Sequence, residues 1–401
     1  MQQAQGFCNS GEKLQSSTAV LRFNLCAKLK ICASIAPPSQ SPETLCESLK
    51  PTTQTKTEKN INMPTIHFLN VLEGDCNIIQ HDTGRTTVID ISNGYNDYDT
   101  AEEIAVKNSQ IRKDMYLRTQ VPGDKKDYKQ KGIPDNPIYY LKQKGIKNIF
   151  RFIVTHPDMD HLDGIKDLFE EFNISNFWDT NNKKEISDKA NSGGYNMEDW
   201  KFYKSLRDGK ITPSTRLTYY SGNSNLYYNE DNIQILSPTP TILKSCNEKE
   251  DWNDSSYVLL YTPPKEGGGH WKILFAGDSE DLTWEHIVKY HSDKVKNIDV
   301  LFAPHHGRDS GRNFDFLKSL TPTVTLFGNA SSKHLAYKKY PGIRITNNQA
   351  GYVILDVSEG QIEILVKNFE FAKDFCAKRE WEVPTLNKTH QAYSIGQINA
   401  K

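Results

Sequence analysis

The stretch Thr155-His156-Pro157-Asp158-Met159-Asp160-His161-Leu162-Asp163-Gly164 constrains this chain more than any other. Four side chains able to bind a metal, His156, Asp158, Asp160 and His161, fall within six residues, between the apolar run Ile149 to Val154 and a helical pattern from Ile165 to Phe172. The pattern is a strand that ends in a loop of ligands and restarts as a helix. Pro157 restricts one φ angle, and alternation along an extended chain throws His156, Asp158 and Asp160 to one side while His161 joins them from the turn. Imidazoles and carboxylates gathered in so small a volume suit a divalent cation. An acidic cap on the following helix would account for one aspartate, but gives no reason for two histidines around two aspartates.

Over 401 residues, 49 Lys and Arg stand against 50 Asp and Glu, so there is no global field for a polyanion and any nucleic-acid contact has to come from a local patch. The chain has no run of about 18 apolar residues and reads as soluble, with no membrane partner. Seven cysteines without a C-x-x-C pair argue against a disulfide framework and for a reducing compartment, hence a cytoplasmic protein. Residues 1–62 hold four of those cysteines and seven basic against four acidic residues, and they end in a Ser/Thr/Pro/Gln-rich run. They read as a disordered leader that precedes a functional start at Met63, with an organelle transit peptide as the alternative.

From Pro64 short apolar runs begin, Ile66 to Val71, Asn77 to Gln80 and Thr86 to Ile91, with Glu73-Gly74-Asp75 and Asp82-Thr83-Gly84 as turns: an antiparallel meander. Residues 95–136 and 183–230 read as surface insertions, the second with a helix near Met197 to Arg207. Strands are expected at Ile174 to Trp178, Asn232 to Leu236, Ser256 to Tyr261, Trp271 to Ala276, Asp299 to Ala303 and Thr323 to Phe327. Ile343 to Thr346 and Gly351 to Val357 are expected to pair with each other, and residues 369–401 to form a loosely attached tail behind a 63–368 domain. Strands first, then strands alternating with helices, then strands again predict two sheets with helices outside.

Three strand ends thus carry polar ligands: His156 to His161, then Asp278 in Gly277-Asp278-Ser279-Glu280, then Pro304-His305-His306-Gly307. A Gly-Asp turn or a His-His-Gly loop is a weak signal alone; the three in this order are specific.

In this order the motifs resemble the metallo-β-lactamase fold, whose first motif reads H-x-H-x-D-H, and are most similar to the soluble hydrolase domain of ComEC-type competence proteins and their stand-alone relatives. The resemblance spans about residues 64 to 358. It runs through Val71-Leu72-Glu73-Gly74-Asp75-Cys76, Val88-Ile89-Asp90, the H-P-D-x-D-H form at His156 to His161, Asn253 to Ser256, Gly277-Asp278, and Pro304 to Gly307. It implies an α/β fold, an αββα sandwich of two β-sheets with helices on the outer faces, and metal-assisted hydrolysis with one or two divalent ions, zinc or manganese. By position, His156, Asp158 and Asp278 would hold one ion and Asp160, His161 and Asp278 the other. Adjacent histidines diverge on an extended chain, so only one of His305 and His306 is expected as a ligand; the divergence does not say which, and His305 is taken as the candidate. The other, His306, is left with Asp160 for catalysis. Asn253 and His334 are substrate-binding candidates, Asp90 a supporting carboxylate and Asp75 a turn residue. Lys166, Lys183, Lys184, Arg308 and Arg312 are a candidate phosphate rim.

Two departures stand out: Asp158 replaces the second histidine of the standard motif, and no histidine lies between His161 and His270. The richness in carboxylate favours manganese relative to an all-imidazole site. The expected function is a phosphodiesterase acting on nucleic acid or a nucleotide. The alternatives are a metal-binding regulatory module with a protein partner in a multi-component system, or a hydrolase of a small ester, lactone or thioester.

Overall fold

The computed structural model describes residues 63–96, 128–187, 195–329 and 334–400. The expected leader at 1–62, most of the 95–136 insertion and residues 188–194 lie outside them.

The described residues build two large sheets. The first half supplies β1 (Thr65–Phe68), β2 (Asn77–Gln80), β3 (Thr86–Ile89), β4 (Asn148–Ile153), β5 (Asn173–Trp178) and β6 (Thr215–Leu217). The second supplies β7 (Ile233–Ser237), β8 (Val258–Tyr261), a ribbon of β9 (Pro264–Lys265) and β10 (Gly269–His270), β11 (Ile273–Phe275), β12 (Val300–Phe302), β13 (Val324–Phe327) and β14 (Ile343–Thr346). The chain then returns to the first sheet with β15 (Val353–Val357), β16 (Gln361–Val366), β17 (Leu386–Asn387) and β18 (Ala392–Asn399). The larger sheet has ten strands in the order β17-β18-β16-β15-β1-β2-β3-β4-β5-β6, and the smaller has six in the order β14-β13-β12-β11-β8-β7.

Period-two alternation decides which side chains fill which layer. Along β8, Leu259 and Tyr261 enter the core between the sheets, while Val258 and Leu260 face the helices outside. β11 and β12 repeat this, with Ile273, Phe275, Val300 and Phe302 inward and Leu274 and Leu301 outward. Outside the smaller sheet lie the helices Asp281–Tyr290 and Phe316–Leu320, through Trp284, Ile287, Phe316, Leu317 and Leu320. Outside the larger lie Pro137–Gln143, Ile165–Glu171 and Met197–Arg207, through Ile138, Leu141, Ile165, Leu168, Trp200 and Tyr203. The architecture is therefore α/β, an αββα sandwich, as expected.

Two expectations are corrected. β14 and β15 do not pair: β14 hydrogen-bonds to β13 in the smaller sheet, and β15 to β1 and β16 in the larger. The helical turn Asn347–Ala350 between them carries the chain from one sheet to the other, and a run this short gives no sign of that crossing. Nor are residues beyond 368 a loose tail. The helix Phe369–Ala377 buries Phe371, Ala372, Phe375 and Cys376 in the inter-sheet core, and β18 pairs with β16.

Asp199 makes one part of this packing sensitive to pH. It is buried on the helix Met197–Arg207, and its carboxylate accepts the Lys166 backbone N–H at 3.0 Å. Burial, opposed by that N–H and aided by nearby Asp163, pushes its carboxyl up to about 7 from an ordinary 3.8. The folded protein therefore keeps a proton that the unfolded chain has already released, and stability is expected to fall as pH rises from about 4 to about 7. Asp199→Asn should flatten that slope in urea unfolding across the window; a slope equal to the wild type's would refute the assignment.

Candidate metal centre

The ligand groups meet because every contributing segment leaves its sheet at the same end of the sandwich. β3 and β4 of the larger sheet end at Ile89 and Ile153, and β11 and β12 of the smaller end at Phe275 and Phe302. Loops at strand ends are free of ladder hydrogen bonds but start from fixed points, which suits them to hold ligands. Backbone bonds tie the loops together: Asp90 N–H donates to Ile153 O at 2.8 Å, and His305 N–H to Gly277 O at 2.9 Å.

The chain bends at Thr155 and His156, is extended again at Asp158, and a 3-10 turn, Met159–His161, then swings Asp160 and His161 inward. Gly74 makes room for that turn. At φ +72° it lies against the Asp160 carbonyl, and a Cβ there would stand 1.6 Å from the carbonyl oxygen. The His305-His306 pair departs from expectation. Both residues are left-handed, at φ 51° and 54°, so the divergence of neighbours on an extended chain does not apply and both imidazoles reach the same carboxylate.

That carboxylate is Asp278, buried, with one oxygen for each side of the centre. Its Oδ1 is 3.3 Å from His161 Nε2 and 3.5 Å from His306 Nε2. Its Oδ2 is 3.6 Å from His305 Nε2 and 3.8 Å from His156 Nε2. Asp160 joins the first side, its Oδ2 3.6 Å from His306 Nε2 and 4.0 Å from His161 Nε2. Asp158 joins the second, its Oδ1 3.9 Å from His156 Nε2.

Each imidazole is held by its other nitrogen. His161 Nδ1 is 2.8 Å from Asp90 Oδ2, His306 Nδ1 3.1 Å from Asp75 Oδ1, His305 Nδ1 3.2 Å from Glu280 Oε1, and His156 Nδ1 3.2 Å from Thr155 Oγ1. The holders are themselves fixed: Thr155 donates its N–H and hydroxyl to Asp90, each at 2.7 Å, and Arg312 Nη2 lies 3.5 Å from Glu280 Oε1. A carboxylate on Nδ1 leaves Nε2 as the free basic nitrogen, the usual support of a metal-binding histidine.

The residues fit a divalent ion. Nε2 of His156, His161 and His306 and Oδ1 of Asp278 are all buried and make no hydrogen bond among the described residues. Orphaned buried polar atoms are costly, so four gathered around one carboxylate call for bound partners. Ligand atoms of Asp160, His161, Asp278 and His306 lie within 4.8 Å of one another. The local field has the right sign. Burial resists charging His161 and His306, yet Asp278 and its neighbouring carboxylates hold both imidazoles well above their ordinary value. Burial likewise resists ionising Asp278, but His306, His161, His305 and His156 together hold it well below the usual carboxylate range.

The remaining sequence candidates fall at the margin. Asn253 Nδ2 donates to Glu280 Oε1 at 3.4 Å, which puts it beside the holder of His305. The exposed His334 is tied through its backbone carbonyl to Asp309 N–H, and the structure does not bring it into the ligand group. Arg312, expected on the rim, is buried and donates to Ser279 O at 2.8 Å. Asp75, read as a turn residue, and Glu280, passed over, prove to be holders. Their signal was an acid within three residues of a glycine in a loop beside a strand, which ordinary turns also carry.

No family model and no curated protein matches the chain. Among solved structures it is similar to a diphosphatase from the PhnP family (12% identity, covering 71% of this chain and 94% of that one, TM-score 0.33). It is also similar to the metallo-β-lactamase SMB-1 bound to 2-mercaptoethanesulfonate (11%, 60% and 76%, TM-score 0.30) and to a long form RNase Z from yeast (9%, 69% and 39%, TM-score 0.31). At TM-scores this low the architecture rests on the sheet order and layers described above.

Proposed function

We propose that the chain is a metal-dependent hydrolase of phosphodiesters, in nucleic acid or a nucleotide, and a relative of the ComEC-type hydrolase domain. The observation that carries the reading is the convergence of four imidazole Nε2 atoms on the two oxygens of Asp278, with Asp158 and Asp160 alongside. Bound there, a divalent ion supplies Lewis acidity, polarising a substrate oxygen and making water acidic enough to attack near neutral pH. Asp160, whose side chain is 22% exposed, is the group placed to orient the attacking water and accept its proton. His161 and His306 outweigh the effect of its burial and hold it below the usual carboxylate range, so it stays ionised and able to accept a hydrogen bond from that water. His305 is the more exposed imidazole of the pair, at 15% against 1% for His306.

Arg308 favours an anionic substrate over a lactone or thioester. It directly follows the histidine pair and Gly307, and its buried Nε has no hydrogen-bond partner among the described residues. The centre's mixed imidazole and carboxylate donors accept zinc or manganese.

The test is a screen of the purified chain with zinc, manganese and magnesium against single-stranded DNA, RNA and a generic phosphodiester, with bound metal measured in parallel. Manganese-supported cleavage lost in Asp160→Ala is expected. Stoichiometric metal with no turnover on any phosphodiester or ester would point instead to a regulatory module.

A further inference from the structure

The two sides of Asp278 are not equivalent. On the first, four ligand atoms draw within 4.8 Å of one another. On the second, Asp158 Oδ1, 3.9 Å from His156 Nε2, already receives Lys184 Nζ at 2.5 Å. Lys184 is not a loose surface chain. Its side chain is 17% exposed, and its ammonium lies over the Trp252 ring, 5.4 Å from the centroid. Its backbone N–H donates to Asn182 Oδ1 at 3.1 Å, and its carbonyl accepts Arg207 Nη1 at 2.7 Å. The ring is anchored as well, with Trp252 Nε1 donating to Asn247 Oδ1 at 3.1 Å. An ammonium fixed at both its backbone and its aromatic face is part of the centre's construction.

We propose that Lys184 is the built-in occupant of the His156–Asp158 side. Its ammonium stands in for a second divalent ion, so the protein binds one ion tightly, between Asp160, His161, His306 and Asp278. A second enters only when Lys184 leaves Asp158. This rests on the metal-centre reading above. The ammonium neutralises Asp158 with a single charge, and a dication among the same ligands would meet a like charge at contact distance, where the partly buried setting screens poorly. Lysine suits the part because its compact charge rides on a flexible four-carbon stem and can withdraw without moving the backbone.

Manganese alone, titrated into the chelator-treated full chain, tests this through the number of ions bound, by equilibrium dialysis with elemental analysis, and through the electron paramagnetic resonance signal of a coupled pair. Wild type should take one ion. Lys184→Gln and Lys184→Met should take two, with the Kd for the second lowered at least about tenfold, and should show the coupled signal. Lys184→Arg, which keeps the charge, should stay at one. The first ion doubles as a folding control, since it uses none of the altered contacts. Two ions of similar affinity in wild type, a neutral variant that stops at one, or a second ion in Lys184→Arg would each overturn the proposal. Wild type that binds no ion would overturn the metal-centre reading instead.

Discussion

Asp278→Asn is expected to abolish stoichiometric metal binding and to lower the phosphodiester turnover proposed above by about 10³-fold or more while leaving the fold intact. The magnitude follows from geometry. Both oxygens are in use, Oδ1 facing His161 and His306, Oδ2 facing His305 and His156. An amide turns one of them into a donor aimed at imidazoles whose Nε2 is needed as an acceptor, and it removes the one negative charge shared by both sides. Losing several kcal/mol of charge stabilisation, at about 1.4 kcal/mol per factor of ten, gives a loss of that size. Asp75→Asn meets only Nδ1 of His306, so it should cost about 10 to 100-fold. Elemental analysis beside turnover and circular dichroism separates the two variants. A metal-replete Asp278→Asn protein would refute the central place of Asp278 in the metal centre.

The largest effect on stability is expected away from the centre, at Asp231→Ala. Asp231 is fully buried and accepts from Arg151 Nη2 at 2.7 Å, Arg85 Nη1 at 3.0 Å and Thr83 Oγ1 at 2.6 Å. Arg151 is itself only 1% exposed. Removing the carboxylate strands a buried guanidinium, a change that costs about 3 to 5 kcal/mol, whereas replacing both partners by apolar residues, as in Arg151→Met with Asp231→Leu, should recover much of the loss. Burial opposes ionisation of Asp231, but His81, Thr83 and Arg151 outweigh it and keep the carboxyl below its ordinary value. Its contribution is therefore complete above the unfolded carboxyl's pKa, near 3.8, and is lost as pH falls below it, the reverse of the Asp199 effect. Denaturant unfolding of the single and double variants decides it; a single variant within 1 kcal/mol of wild type would count against the pair.

Local patterns made much of this molecule legible. The helix at Met197 to Arg207 and the strand at Asn77 to Gln80 stand where periodicity and turn residues put them. What stayed hidden depends on the path of the chain through space. Nothing in Ile343 to Thr346 says which sheet it joins, and the short runs beyond residue 368 gain their place only by meeting β16 and the inter-sheet core. At the centre, the residue types announced the ligand loops, but the backbone decided who reaches Asp278. Two consecutive left-handed histidines bring both rings in, and a 3-10 turn in place of continued alternation delivers Asp160 and His161. Asp75 and Lys184 carry the same lesson, since each becomes informative only through a neighbour distant in sequence.

The place of β1 in the larger sheet has a consequence for how the protein is made. It lies between β2 and β15, with Thr65 opposite Asp356, so its two partners are separated by most of the chain. While the chain emerges from the ribosome, β1, β2 and β3 can form a hairpin meander early, but one side of β1 stays an open edge until β15 is synthesised. The same delay separates His161 from His306. Folding of this protein is thus a late, long-range closure, and the binding centre comes into being only with that closing step.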